Sequence, residues 1–248
     1  MPLLDGIIGC WSPSVRGSGY LLPDLSGRGN HGTLTNMDAG TDWPGAAVRG
    51  VSGRVLDFDG SDDYVTFPNV AALNVTDWIL TVSLWVNVRS VVAFPYFLAK
   101  STGGSSIQYA LALNNNQQRF AVGGTFINAS FTPTFNQWYH LVGTCDGTNM
   151  VTYRDGRSVG TNTRTGTQTT TNPLEMGRLN SLNYTVDAQV GEFAFFRRAL
   201  TATEVMDIYR SGNGAIGRQL TGQTRRRVYG FVPATGARRR RILCGGNC

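Results

Sequence analysis

The sequence predicts an all-β sandwich, on three observations. Short strand-like runs alternate with turn residues along most of the 248 residues, at roughly 8–12-residue spacing. Glycine is abundant, at 31 residues, and Thr, Val and Asn are plentiful while helix-favouring Lys, Glu and Ala are scarce. Only one stretch, residues 200–212, carries a complete set of helix signals. The length suits one large β domain, because sandwiches often run past about 200 residues as a single unit.

The elements follow in order. Gly6–Trp11 is an apolar opening strand. Val55–Phe58 and Tyr64–Phe67 flank an acidic turn, Asp59-Gly-Ser-Asp-Asp63. Leu80–Val88 alternates, with Val82, Leu84, Val86 and Val88 on one face and Ser83, Trp85 and Asn87 on the other. Tyr96–Ala99, Tyr109–Leu113 and Arg119–Val122 follow, then Trp138–Thr144, Met150–Arg154 and Arg157–Gly160. Asp155-Gly156 between the last two is a type I′ hairpin turn, since both central residues tolerate positive φ. Leu174–Gly177 and Val190–Phe196 complete the strands. In the helix, Thr201 is the N-cap and Glu204 completes a capping box. Leu200 staples to Val205; Val205, Ile208 and Tyr209 form the packing face, and Gly212 ends the helix.

Beyond Gly212 the periodicity dissolves. The reading is therefore a sandwich over residues 1–212 and an extended C-terminal arm over 213–248, with Val228–Val232 as one short strand-like run. Charge divides the same way. Residues 1–210 carry 14 Lys and Arg against 16 Asp and Glu, whereas residues 211–248 carry eight arginines and no acid. The arm is read as a partner-binding segment through Arg225, Arg226, Arg227, Tyr229, Phe231, Arg238, Arg239, Arg240 and Arg241. Its partner is an acidic protein surface or particle lattice; basic clusters interleaved with aromatics also fit nucleic acid, although no recognised nucleic-acid motif accompanies them. Lys100 is the one lysine among 22 basic residues. Cys10 and Cys145 lie in apolar strands and read as buried free thiols, while Cys244 and Cys248 form a small disulfide loop, an intermolecular disulfide or a pair of unstructured thiols.

Cysteine and motif order together carry a resemblance. Cys10-Trp11 opens the set, followed by Asp24-Leu-Ser-Gly-Arg-Gly-Asn-His-Gly32 and Leu56-Asp-Phe-Asp-Gly-Ser-Asp-Asp-Tyr-Val65. Next come the strand Leu80–Val86, the hairpin carrying Trp138-Tyr-His-Leu-Val-Gly-Thr144 and Tyr153-Arg-Asp-Gly156, and Gly191-Glu-Phe-Ala-Phe-Phe-Arg-Arg-Ala-Leu200. In this order over residues 6–211 they resemble the laminin-G-like, concanavalin-A-like jelly rolls. That resemblance implies two antiparallel sheets in jelly-roll topology, and binding of glycans or protein surfaces rather than catalysis. It also implies a structural Ca²⁺, for which Asp24 and Asn30 in the glycine-rich loop and Glu192 on the closing strand are the matching oxygen donors. The competing reading makes Asp24 and Asn30 turn caps and Glu192 a hydrogen-bonding side chain. Asp59, Asp62 and Asp63 form a second acidic group that is first of all a hairpin turn.

Catalytic patterns are absent from the sequence. No Glu-x-Asp-x-x-Glu strand of the glycan-cleaving kind occurs, and neither His31 nor His140 accompanies a nucleophile motif such as G-x-S-x-G. Trp11, Trp85 and Trp138 read as core, whereas Trp43, Trp78 and Tyr184 lie in or near loops and are the candidate ligand-stacking residues. No apolar run is long enough for a membrane span, and the N-terminus lacks the basic and apolar regions of a secretory leader, so cytoplasmic folding is expected. The sequons at Asn74, Asn128 and Asn183 then read as chance matches. Three functions fit. The leading one is a virion surface protein, such as a phage capsid decoration, fibre or tail component anchored by its arm. The alternatives are a calcium-dependent, lectin-like glycan binder working outside cells, and a nucleic-acid binder acting through the arm.

Overall fold

The structure, a computed structural model of the chain, describes residues 3–15, 19–48, 51–91, 94–103, 106–179 and 184–222. The arm residues from Arg225 to Arg241, the run 228–232, Cys244, Cys248 and the sequon at Asn183 lie outside the described residues.

Two antiparallel sheets face each other. The first comprises β1 (Ile7–Trp11), β17 (Asp187–Phe196), β8 (Ile79–Ser90), β13 (Trp138–Asp146), β14 (Asn149–Arg154) and β15 (Arg157–Thr163) in that spatial order, with β6 (Leu56–Asp59) also pairing to β17. The second runs β12 (Thr125–Ser130), β11 (Gln117–Val122), β10 (Ile107–Leu113), β9 (Tyr96–Ser101), β16 (Leu174–Met176), β7 (Tyr64–Phe67), β3 (Gly32–Thr35) and β2 (Leu21–Leu22). A separate hairpin pairs β4 (Gly45–Val48) with β5 (Val51–Arg54). The strands expected from the sequence are all present, Tyr64–Phe67 with the expected bounds and each of the others with at least one end displaced by a residue or more.

Five strands escape the sequence reading, for physical reasons. β4 and β5, GAAV and VSGR, lack the large alternating side chains that mark a strand. β3 is hidden in the glycine-rich loop and β2 is two residues long. β12, TFINAS, alternates only weakly and gains its order by pairing along β11 from Gln117↔Ser130 to Val122↔Thr125.

The core fills the space between the sheets. Leu80, Val82, Leu84, Val86 and Val88 of β8 meet Phe97, Leu98, Tyr109, Leu111 and Phe120 of the other sheet, all essentially inaccessible to water. Trp11 stacks on Phe193 at 4.6 Å and meets Phe67 edge-on, also at 4.6 Å. Gly143 on β13 makes room for the Phe120 ring of the facing sheet, because a Cβ there would stand 2.2 Å from it. At Asp155-Gly156, φ values of 51° and 80° give the expected primed turn.

The second face of β8 is covered as well. Ser83, Trp85 and Asn87 are buried too, because further elements cover the outside of the first sheet. Trp85 packs with Val55, Ala46 and Trp138 and stacks with His140 at 4.9 Å and Tyr209 at 5.9 Å. Tyr209 belongs to α1 (Ala202–Ser211), whose capping box at Thr201 and Glu204 and terminus at Gly212 match the sequence signals.

The boundary drawn at Gly212 needs correction. A second helix, α2 (Ala215–Leu220), follows at once and packs on the sandwich through Ile216, which is fully buried. It is only six residues long and contains Gly217, so no repeating apolar stripe announces it. Its order comes instead from β17: the Glu192 carboxylate accepts hydrogen bonds from the backbone N–H of Ile216 at 3.1 Å and Gly217 at 2.7 Å. The Glu192 N–H in turn donates to Asn213 Oδ1 at 2.6 Å.

Candidate functional site

The residues matched to a calcium site are brought near one another, but they are already engaged. Asp24 Oδ1 accepts from the N–H of Cys10 at 3.1 Å and of Ser26 at 2.9 Å, and Oδ2 accepts from Ser26 Oγ at 2.8 Å and Asn30 N–H at 3.0 Å. The Asn30 amide donates to Ile8 O at 3.0 Å, and its backbone carbonyl receives the Trp11 indole N–H at 2.7 Å. Glu192 is held by α2 and faces Cys10 Sγ at 3.7 Å. Burial pushes the Glu192 carboxyl and the Cys10 thiol upward, Cys10 further still through the nearby Glu192 and Asp24 charges. A cation needs oxygen lone pairs facing outward, and here N–H and O–H donors occupy both carboxylates. These residues do not fit Ca²⁺; they lock the opening strand, the glycine-rich loop and α2 together.

Asp59, Asp62 and Asp63 lie with one carboxylate oxygen each within 4.8 Å of the others. They behave as the turn their sequence predicts: Asp63 accepts from Asp59 N–H at 3.0 Å and Asp59 from Ser61 N–H at 2.7 Å. Burial, reinforced by the neighbouring acids, pushes Asp63 up to about 6. Cys10 and Cys145 are buried free thiols, as expected.

The aromatic platforms also change. Trp43 is buried in the main core, with its indole N–H donating to Gly19 O at 2.9 Å. Trp78 is 9% exposed, and the Arg164 guanidinium lies 4.9 Å from its ring centre. Neither offers a free face to a ligand. Tyr184 is half-buried against Phe94 and Tyr96. A position near a loop did not imply exposure, because these loops fold back over the ends of the sheets.

A different site emerges at one end of the sandwich. A cleft of about 430 Å³ is lined by Asn74, Thr76, Thr102, Gln108, Thr169, Thr170 and Thr171. One wall is the loop after a 3₁₀ turn at Ala71–Leu73, pinned by buried Leu73 and Val75 and by the Tyr109 hydroxyl donating to Leu73 O at 2.9 Å. The opposite wall is the threonine-rich segment between β15 and β16. Gln168 holds it, donating its N–H to Gly123 O at 3.0 Å and accepting from Ile107 N–H at 3.0 Å. Thr76, Thr102, Thr169 and Thr171 form an exposed rim, while Gln108 and Thr170 form a buried floor.

The floor has unused hydrogen-bonding capacity. Gln108 is 1% exposed, and its amide NH₂ donates to Val75 O at 3.0 Å. Its carbonyl Oε1 is buried with no partner, as is Asn74 Oδ1. Buried acceptors are seldom left open, and two of the described chain's unpartnered buried oxygens belong to residues that line this cleft. The described lining residues include no charged one. Sequence reasoning missed this site. The available signals were a glutamine inside the otherwise apolar IQYALAL and the uninterrupted Thr169–Thr171 run.

Comparison with known proteins places the fold. The binding domain of Paraclostridial Mosquitocidal Protein 1 superposes with a TM-score of 0.64 at 15% identity, covering 84% of this chain and 53% of that one. The binding domain of botulinum neurotoxin DC in complex with SialylT gives 0.63 at 15% identity, with 84% and 52% covered. Trypanosoma rangeli sialidase gives 0.61 at 18% identity, with 83% and 33% covered. The chain thus spans about half of the two toxin fragments and a third of the sialidase. No curated protein sequence matches it. The Laminin_G_3 profile, described as the concanavalin A-like lectin/glucanases superfamily, matches residues 59–206. With two facing antiparallel sheets and a profile match over more than half its length, the chain belongs to the concanavalin A-like lectin/glucanases superfamily.

Proposed function

We propose that this chain is a non-catalytic sugar-binding module whose ligand occupies the cleft between residues 74–76 and 169–171. The observation that carries this reading is the pair of buried, unpartnered carbonyl oxygens, Gln108 Oε1 and Asn74 Oδ1, beside a rim of threonine hydroxyls. Sugar hydroxyls donate to such oxygens and accept from such hydroxyls. Catalysis is not part of the proposal: glycoside hydrolysis needs two carboxyl groups flanking the bond, and among the described residues no Asp or Glu lines the cleft. Calcium is not part of it either, since Asp24 and Glu192 are held by backbone donors.

The test is a glycan array probed with the wild type and two variants. Thr169→Trp fills the exposed rim without touching the core, and Gln108→Leu removes the open acceptor. Binding is expected for the wild type, abolished by Thr169→Trp and weakened about fivefold or more by Gln108→Leu, the worth of one hydrogen bond. Wild-type binding that survives both changes would move the ligand elsewhere.

A second reading concerns the arm and can coexist with the first. Eight arginines without an acid in residues 211–248 favour anchoring on an acidic surface, as in a virion decoration, fibre or tail component. Sedimentation with large particles at fixed stoichiometry, lost when residues 223–248 are removed, is the outcome that reading requires.

A further inference from the structure

Behind the threonine wall of the cleft stands an uncompensated positive charge. Lys100, the one lysine of the chain, lies on β9 with no exposed surface. Its ammonium donates to Asn69 Oδ1 at 3.1 Å and to the Asn172 carbonyl, both neutral oxygens. An ammonium carries three N–H donors, and neither partner is a carboxylate. Burial alone pulls this amine down to about 8, with no neighbouring charge offsetting it. The acids on the surrounding elements are engaged elsewhere: Glu175 on β16 pairs with Arg178 at 2.7 Å, and Asp77, beyond the 74–76 loop, pairs with Arg197 at 2.7 Å.

The same groups that hold Lys100 build the cleft. Asn69 Nδ2 donates to Thr171 O, and Asn172 N–H donates to Thr170 Oγ1 at 3.0 Å. Thr170 and Thr171 line the cleft, and no acid is among its described lining residues. A cation fixed behind a neutral wall, screened from water by that wall, makes the cleft electropositive.

We propose that the cleft selects acidic saccharides, those bearing a carboxylate, over their neutral counterparts, with Lys100 as the specificity-determining charge. The inference rests on the sugar-binding reading of the cleft. Lys100 is enclosed, so it acts through the Asn69–Thr171 wall rather than by touching the ligand.

The test uses the full chain and two matched pairs of probes: methyl glucoside against methyl glucuronide, and methyl galactoside against methyl galacturonide. Affinities are measured by NMR titration at pH 6.5 and pH 10. The expected result is at least one uronide binding fivefold or more tighter than its neutral partner at pH 6.5. That preference should fall below twofold at pH 10, where Lys100 is neutral, while the neutral sugar binds equally at both values. Lys100→Met should abolish the uronide preference at pH 6.5; the pH series on the wild type stands even if that variant fails to fold. A neutral sugar that binds while its uronide gains nothing overturns the charge selection and leaves the cleft reading intact. If no probe binds at either pH, both fall.

Discussion

His140 shows how far one side chain's surroundings override its intrinsic chemistry. It is fully buried on β13, hydrogen-bonded through Nε2 to Ser83 Oγ at 2.9 Å and packed against both Trp85 and Tyr209, which also stack on each other. Burial pulls its imidazole down to about 3. In the unfolded chain the same ring takes a proton near pH 6.5. Between these values the unfolded state binds the extra proton, so stability is present above about pH 6.5 and is lost as pH falls toward 3. The expected loss from this residue between pH 7 and pH 4.5 is about 2 kcal/mol. Urea unfolding of the wild type and His140→Gln at both pH values checks it; a pH difference unchanged in the variant would assign the effect elsewhere. The sequence placed His140 in a core strand with no nucleophile motif beside it, yet it could not show which residues cover the ring. Gln108 is the opposite case. It lies in a run that reads as pure core, and only the three-dimensional arrangement reveals that its carbonyl oxygen has no donor.

Among the elements, the two helices separate what local sequence specifies from what tertiary contacts specify. α1 is written in its own residues: Thr201 and Glu204 bond reciprocally, and Arg198 adds an ion pair to Glu204 at 2.7 Å. α2 has no side-chain cap and takes its order from Glu192 and Asn213. Removing it uncovers the apolar site of Ile216 and leaves the Glu192 carboxylate without its N–H donors. A chain ending at Gly212 should therefore be about 3 kcal/mol less stable than one ending at Gly222, by denaturant unfolding. Equal stabilities would restore the shorter boundary. The strands divide similarly. β8, β13 and β17 were legible from alternation, while β3, β4, β5 and β12 have small or polar residues and exist because a neighbour supplies their hydrogen bonds.

At the level of the whole molecule, the order of motifs carried the fold, because sandwich strands announce themselves by apolar alternation and by turns that need glycine or aspartate. The cleft was not legible, because it is assembled from segments far apart in the chain, at residues 74–76, 102, 108 and 169–171. None of these residue types is distinctive alone. The acidic and aromatic residues that looked functional, Asp24, Glu192, Trp43 and Trp78, are committed to holding loops against the sheets. Charge is likewise a property of the whole: a nearly balanced body, an arginine-rich end and one enclosed lysine behind the cleft. The most direct measurement is a backbone amide NMR titration of the ¹⁵N-labelled chain with an acidic oligosaccharide. Saturating shifts confined to residues 74–76, 102, 108 and 168–172 are predicted. Saturating shifts centred instead on the glycine-rich loop at 24–32 or the acidic turn at 59–63 would contradict the cleft as the site.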